Sequence, residues 1–275
     1  MLLAQISDPH IKRPGALAYR RVDTAAHFSR CVARLNALDP RPDAVVITGD
    51  LVDLGGADEY RHLKTLIEPL QMPYHLLIGN HDDRAALRDV FGERAELRAG
   101  GEFVQYAFDV GPVRVLALDS QVPHQSGGQL CGTRLQWLAE QLDAARGRPV
   151  VVALHHPPFV SGIGHMDGMR LDAPSSDALA AIVSRHPNVE RVICGHVHRP
   201  MFARFAGTIA SAVPSPAHQV ALDLRDEAPS AFVLEPPAFA LHRYDAASGL
   251  VTHHAYVDES AGPYPFYEPS GELID

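Results

Sequence analysis

The stretch YHLLIGNHDD, residues 74–83, decides how this chain is read. An apolar run stops at Gly79, and an amide, an imidazole and two carboxylates follow without a spacer: Asn80, His81, Asp82 and Asp83. An apolar run of this length suits a strand buried on both faces. Gly79 then reads as the residue that turns the backbone at the strand's carboxyl end. The same grammar recurs along the chain. LLAQIS (2–7) runs into Asp8 and His10, and DAVVITGD (43–50) ends on Asp50. PVVVALHH (149–156) ends on His155 and His156, and VERVICGH (189–196) leads to His196 and His198. A sixth run, VRVLALDS (113–120), ends in an acid and a hydroxyl.

Amphipathic helical patterns separate these runs. Residues 22–38 place Phe28, Val32 and Leu35 on one stripe, and residues 132–145 do so with Leu135, Leu138 and Leu142. Residues 175–186 read as a third helix capped by Ser175 or Ser176 and stopped by Pro187. Alternating strands and helices predict an α/β fold with a partly parallel sheet. In such sheets ligand groups gather at the carboxyl ends of the strands, so these polar clusters are expected to converge. After His198 the pattern changes to short strands joined by Pro and Gly turns, which suits an antiparallel layer. The stretch 159–169, with its glycines and apolar side chains, reads as a pocket wall or lid. The aromatic tail 261–275 reads as a segment that packs on something, a neighbouring subunit included.

Composition excludes several classes. The 275 residues carry a formal charge of −9, with no Lys/Arg cluster, which argues against polymeric nucleic acid as a partner. No apolar span reaches membrane-helix length, and the amino terminus lacks the basic flank of a signal peptide, so no membrane association and a cytoplasmic location are expected. Three widely spaced cysteines, with no CxxC, read as free thiols of a reducing compartment.

The ordered set D-x-H (Asp8, His10), G-D (Asp50), G-N-H-D (Asn80, His81), H-H and G-H-x-H (His196, His198) resembles the calcineurin-like metallophosphoesterase superfamily over residues 1–200. Within it, the opening MLLAQISDPH, the HHPP box, and the HQV and AGPYPFYE stretches resemble the branch of class III cyclic nucleotide phosphodiesterases and bacterial glycerophosphodiesterases. The resemblance implies a four-layer α/β/β/α sandwich. Residues 1–200 would be the catalytic core; residues 201–275 would complete the second sheet and add a small antiparallel cap, a dimerisation segment and a tail. It also implies two divalent transition metal ions (Fe, Mn, Zn or Co), which the imidazole-rich donor set suits. One ion would be held by Asp8, His10, Asp50 and His198, the other by Asp50, Asn80, His156 and His196, with Asp50 bridging. His81 would stand off the metals beside the substrate, and His155 would support the site without binding metal.

Further candidates are less sharply defined. Asp82 would orient a neighbouring histidine or else open the helix expected at 83–91, where Asp83 and Arg84 read as solvated; His218 would contact substrate or support a ligand; Tyr19 and Asp53 would line the pocket. Two divalent ions, less two carboxylates and one bound hydroxide, leave about +1, which matches a singly charged diester better than a monoester dianion. The implied activity is hydrolysis of small glycerophosphodiester-type substrates by metal-bound hydroxide. A 3′,5′-cyclic nucleotide phosphodiesterase is the alternative, and a non-catalytic interaction scaffold the remote one. No aromatic pair beside a motif offers a slot for a base. The resemblance further implies a homo-oligomer, a dimer or an assembly of dimers.

Overall fold

The opening apolar run forms the strand Leu2–Ile6 (β1), which lies mid-sheet in a computed structural model describing residues 1–274. The helix Thr24–Asn36 (α1) leads to the wholly buried strand Ala44–Thr48 (β2). The helix Ala57–Ile67 (α2) then precedes Tyr74–Leu77 (β3). Short helices follow at Arg84–Val90 (α3) and Glu96–Ala99 (α4). The hairpin Tyr106–Val110 (β4) and Val113–Ala117 (β5) begins a second sheet, continued through Gly132–Ala144 (α5), Val150–Ala153 (β6), Gly164–Asp167 (α6), Ala173–Val183 (α7) and Val189–Cys194 (β7). The last strands are Met201–Phe205 (β8), Thr208–Ala212 (β9), Gln219–Val220 (β10), Phe232–Val233 (β11), Ala238–Asp245 (β12) and Gly249–Tyr256 (β13).

One sheet runs β13-β12-β1-β2-β3, the other β4-β5-β6-β7-β9-β8. Strands β1, β2 and β3 are mutually parallel, as are β5, β6, β7 and β9. The strands after residue 200 therefore divide between the sheets: β8 and β9 extend the second, and β12 and β13 extend the first through β1. A boundary at residue 200 does not separate two structural units, because β1 would lose its antiparallel neighbour. The β10–β11 pair stands apart from both sheets.

The helices form where an apolar stripe has a sheet face to cover. Helix α1 buries Phe28, Cys31, Val32 and Leu35, and the Asp23 carboxylate caps it by accepting from Ala26 N at 2.9 Å. Helix α2 had no counterpart among the sequence expectations, although Tyr60, Leu63 and Ile67 form its buried stripe. The Glu59 carboxylate accepts from the Leu54 and Gly56 amides ahead of it, at 2.8 and 3.4 Å. Helix α7 starts earlier than expected. Asp172, not Ser175 or Ser176, is its cap and accepts from Ser175 N at 2.9 Å, with Pro174 in the first turn.

Helices α1, α2 and α3 pack on the outer face of the first sheet, and α5 and α7 on that of the second. Val115, Ala117, Val151, Ala153 and Ile193 of the second sheet face the first, completing the four-layer order. A buried polar chain crosses between the sheets. His242 contacts Gln5 through Nε2 at 3.0 Å and Thr252 through Nδ1 at 2.8 Å, and Arg191 donates to Thr252 Oγ1 at 2.9 Å.

Burial, together with the nearby charges of Arg191 and His254, lowers His242 from 6.5 to about 3. The unfolded chain therefore binds a proton on this ring at a pH where the folded chain does not. Stability from this group is complete above 6.5 and is lost as pH falls toward 3. In denaturant titrations across that window, wild type should lose up to about 1.4 kcal/mol per pH unit more than His242→Gln; equal slopes would refute the assignment.

Candidate metal centre

Strands β1, β2 and β3 deliver Asp8, His10, Asp50, Asn80 and His81 from one sheet, and β6 and β7 deliver His155, His196 and His198 from the other. The turns that do this are unusual. Among the described residues nine non-glycine residues have positive φ, and five of them are Asp8 (56°), His10 (45°), Asp50 (47°), His196 (69°) and His198 (51°). Left-handed backbone outside glycine is uncommon, and it concentrates where function over-determines the chain. Gly79 serves by its lack of a side chain and not by its turn: a Cβ there would lie 2.2 Å from Asp50 Oδ1. Gly195 is equally confined, since a Cβ would lie 1.8 Å from Ser7 Oγ.

The side chains converge. His10 Nε2 lies 3.2 Å from His198 Nε2, and Asp8 Oδ1 is 3.4 Å from the same His198 nitrogen. His155 Nε2 lies 3.1 Å from Asn80 Oδ1, 3.2 Å from His196 Nδ1 and 3.4 Å from Asp50 Oδ1. The other Asp50 oxygen, Oδ2, stands 3.6 Å from His10 Nε2. Asp50 thus faces one cluster with each oxygen. Three imidazoles donate Nδ1–H to main-chain carbonyls: His155 to Thr48 O (2.9 Å), His198 to His218 O (2.9 Å) and His81 to Asp53 O (2.7 Å). That arrangement turns each Nε2 away from its carbonyl, and in a neutral ring leaves the Nε2 lone pair to face a ligand.

These groups fit divalent metal. The Asp8, His10 and Asp50 donor atoms lie within 4.8 Å of one another, as do those of His155, His156 and His196. His196 Nε2 is buried and has no hydrogen-bond partner. Burial opposes charge on Asp8, yet the His198 imidazole holds its carboxyl down to about 2. Burial likewise opposes a proton on His155, yet the Asp50 and Asp8 carboxylates push it up to about 9. Among the described residues neither carboxylate has a Lys or Arg within salt-bridge reach, so the centre draws positive charge from protons or from a cation.

The HHPP box is where the placement departs from expectation. His155, not His156, points its Nε2 at Asn80 and Asp50. Both nitrogens of His156 are already engaged, Nδ1 with Ser120 Oγ at 2.8 Å and Nε2 with Ser126 O at 3.2 Å. The cause is strand parity: Val151 and Ala153 of β6 face the other sheet, and His155 follows them, whereas Val152 and Leu154 face the helices.

Asp82 neither orients a histidine nor opens α3. Its buried carboxylate accepts from the amides of Gly79 (2.8 Å), Leu51 (3.1 Å) and Val52 (3.3 Å) and from the Tyr60 hydroxyl (2.8 Å). It ties the Asp50 loop to the Asn80 loop, while Asp83 caps α3. Arg84 is not solvated; it pairs with buried Asp119 at 2.8 and 2.9 Å. Asp53 sits behind His10, with Oδ1 3.4 Å from its Nδ1, and is paired with Lys12.

A cavity of about 410 Å³ opens over the centre, lined by His10, Asp50, Asn80, His81, His196 and His198. Tyr19, His218, Phe232, Met166 and Met169 also line it. Tyr19 and Phe232 stack with centroids 4.9 Å apart, and β11 supplies the Phe232 that motif reading missed. The 159–169 segment forms part of the wall, pinned by the Asp167 carboxylate, which accepts from Ser161 N (2.6 Å) and Gly162 N (2.9 Å).

The family model for calcineurin-like phosphoesterase matches residues 1–200. The chain is 38% identical over its full length to the whole of a probable glycerophosphodiester phosphodiesterase GpdQ of Arcobacter nitrofigilis. It is 32% identical, over 72% of its length and 70% of the relative's, to the 3′,5′-cyclic adenosine monophosphate phosphodiesterase CpdA of Pseudomonas aeruginosa. In fold it resembles a dimetal phosphatase from Danio rerio, with a TM-score of 0.62 at 15% identity, covering 94% of this chain and 99% of that one. With its motif residues gathered at the strand ends and its first 200 residues matched, the chain belongs to the calcineurin-like phosphoesterase family.

Proposed function

We propose that this protein is a metal-dependent phosphodiesterase acting on small glycerophosphodiester-type substrates. The observation that carries the reading is the convergence of left-handed Asp8, His10, Asp50, His196 and His198 on one buried cluster beneath an open cavity. The full-length relative named as a glycerophosphodiester phosphodiesterase supports the substrate class.

Asp8, His10, Asp50 and His198 would hold one divalent ion, and Asp50, Asn80, His155 and His196 the other. Bound divalent ions of this kind lower the pKa of a coordinated water toward ~7 and stabilise charge on phosphoryl oxygens. The chain's own residues then do the following. Asp50 shares its two oxygens between the clusters. Asn80 adds a neutral oxygen and so leaves the site's charge unreduced. His81 stands at the cavity wall with Nδ1–H anchored on Asp53 O and its Nε2 available to the substrate. Burial works against its proton, but the Asp50 carboxylate and the Asp53 carbonyl outweigh that and raise its pKa. A protonated His81 can donate to the leaving oxygen of an alkoxide.

One observation favours a second substrate class. The stacked Tyr19–Phe232 pair lines the cavity, so the aromatic wall that sequence reading did not find is present and could receive the base of a cyclic nucleotide. We also propose a homo-oligomer. Tyr264, Phe266 and Tyr267 in the tail are exposed, a surface suited to a second copy, and sedimentation velocity would read the state. Among the described residues no helix is long and apolar enough to cross a membrane, and three free cysteines suit a reducing cytoplasm.

Steady-state rates with Mn²⁺ on glycerophosphoethanolamine, cyclic AMP and a phosphomonoester test the substrate. The glycerophosphodiester should lead; cyclic AMP ahead by tenfold in kcat/KM, about 1.4 kcal/mol, would make the second reading the better one. His81→Ala should lower kcat on glycerophosphoethanolamine by roughly 10²–10⁴-fold and by less on bis(4-nitrophenyl) phosphate, whose leaving group needs no proton. Equal losses on both would remove the acid role. Metal analysis should find two ions per chain in wild type and in His156→Ala, and one fewer in His155→Ala. The opposite pattern would return the ligand role to His156.

A further inference from the structure

We propose that Gln5 and His242 act as positioning residues that set the two halves of the metal centre against each other. The inference rests on the metal-dependent reading above. Each ion would draw ligands from both sheets, so its affinity depends on how the sheets are placed. Much of the contact between them is apolar, through side chains such as Val151, Ala153 and Ile193. Apolar contact is non-directional and leaves small sliding displacements cheap. A buried amide donating to both sheets does not.

Gln5 Nε2 is such a donor. It reaches Thr48 Oγ1 on the first sheet at 3.0 Å and Cys194 O on the second at 3.0 Å. Thr48 lies two residues before Asp50, and Cys194 two residues before His196. Thr48 also holds the His155 ring, through its carbonyl, at 2.9 Å. One side chain therefore sits between the stretches that deliver Asp50, His155 and His196.

The direction of the amide is imposed from behind. Arg191 on β7 donates to Thr252 Oγ1 at 2.9 Å, so the Thr252 hydroxyl proton is free to go to His242 Nδ1, 2.8 Å away. That makes His242 the Nε2–H tautomer, which donates to Gln5 Oε1 at 3.0 Å. With Oε1 claimed, Gln5 must turn its NH₂ toward Thr48 and Cys194. His242 is wholly buried and does not line the substrate cavity, and nothing in the hydrolysis uses it.

The two ions differ in exposure to this device. The ion at Asp50, Asn80, His155 and His196 would take two ligands from each sheet. The ion at Asp8, His10, Asp50 and His198 would take three from the first sheet and one from the second. Loss of the clamp should weaken the former more.

Calorimetric titration of the metal-free protein with Co²⁺ tests this, with thermal melting in parallel. Wild type should bind two ions. His242→Leu and Gln5→Leu should bind one of the two ions, the one assigned to Asp50, Asn80, His155 and His196, roughly 10–100-fold less tightly. Thr252→Val, which removes only the hydroxyl that sets the tautomer, should shift affinity in the same direction and covers the case in which the leucine variants do not fold. His242→Gln should restore the affinity, because its amide offers one donor and one acceptor along the same line. Lowered melting temperatures with both Co²⁺ affinities intact would overturn the proposal, as would a His242→Gln variant as weak as His242→Leu. A wild type that binds no Co²⁺ would overturn the metal reading and the clamp together.

Discussion

Two fully buried carboxylates set the terms for this molecule. Asp8 and Asp50 lie at the ends of neighbouring parallel strands; backbone amides of His196 and His81 donate to them, and among the described residues the only side chains in ion-pair reach are imidazoles. Burying an ionised carboxylate without a counter-charge costs many kcal/mol, so the site is stable only if cations meet it. The ring of His155, pushed up to about 9 by these carboxylates, shows the demand in the protein alone. Divalent ions would meet the same demand more fully, because they are the largest local charges such a site can take.

The rest of the architecture follows from gathering imidazole nitrogens beside those oxygens, where one cation can meet both. Five ligand candidates adopt left-handed backbone, each a conformation that costs roughly 1 kcal/mol or more for a residue with a Cβ. Gly79 and Gly195 clear the space that lets the loops approach. Main-chain carbonyls of Thr48, Asp53 and His218 take the Nδ1 protons and turn the Nε2 atoms inward. Asp82 binds three amides from two loops and holds them at a fixed separation. Strain at the centre is thus offset by a dense shell of directional hydrogen bonds around it.

The cavity above the centre has a different origin. Its metal-facing floor comes from the parallel strands, while Val220 and Phe232 come from the β10–β11 pair and Met166 and Met169 from the 159–169 segment. The candidate ligands and the upper wall of the cavity therefore come from different parts of the chain. The chain is similar both to a relative named for glycerophosphodiesters and to one named for cyclic nucleotides.

Much of the centre was legible in the sequence because strand ends announce themselves. A short Val/Ile/Leu run bounded by turn residues reads as a buried strand, and Asp, Asn or His behind it then emerges at the sheet's edge. The order of those clusters was enough for the α/β class, the family and most of the ligand candidates. Adjacent residues were not resolved by the same logic. In a strand buried on both faces no apolar–polar alternation marks which side is inward, so His155 and His156 were interchangeable until the two sheets met. Arg84 and Asp119, Phe232 and the centre, and Gln5 and His242 lie far apart in sequence, and no local pattern links them. Local chemistry determined which side chains this protein brings to its centre; tertiary packing decided which nitrogen faces it, because facing is a property of the contact between sheets and not of either strand.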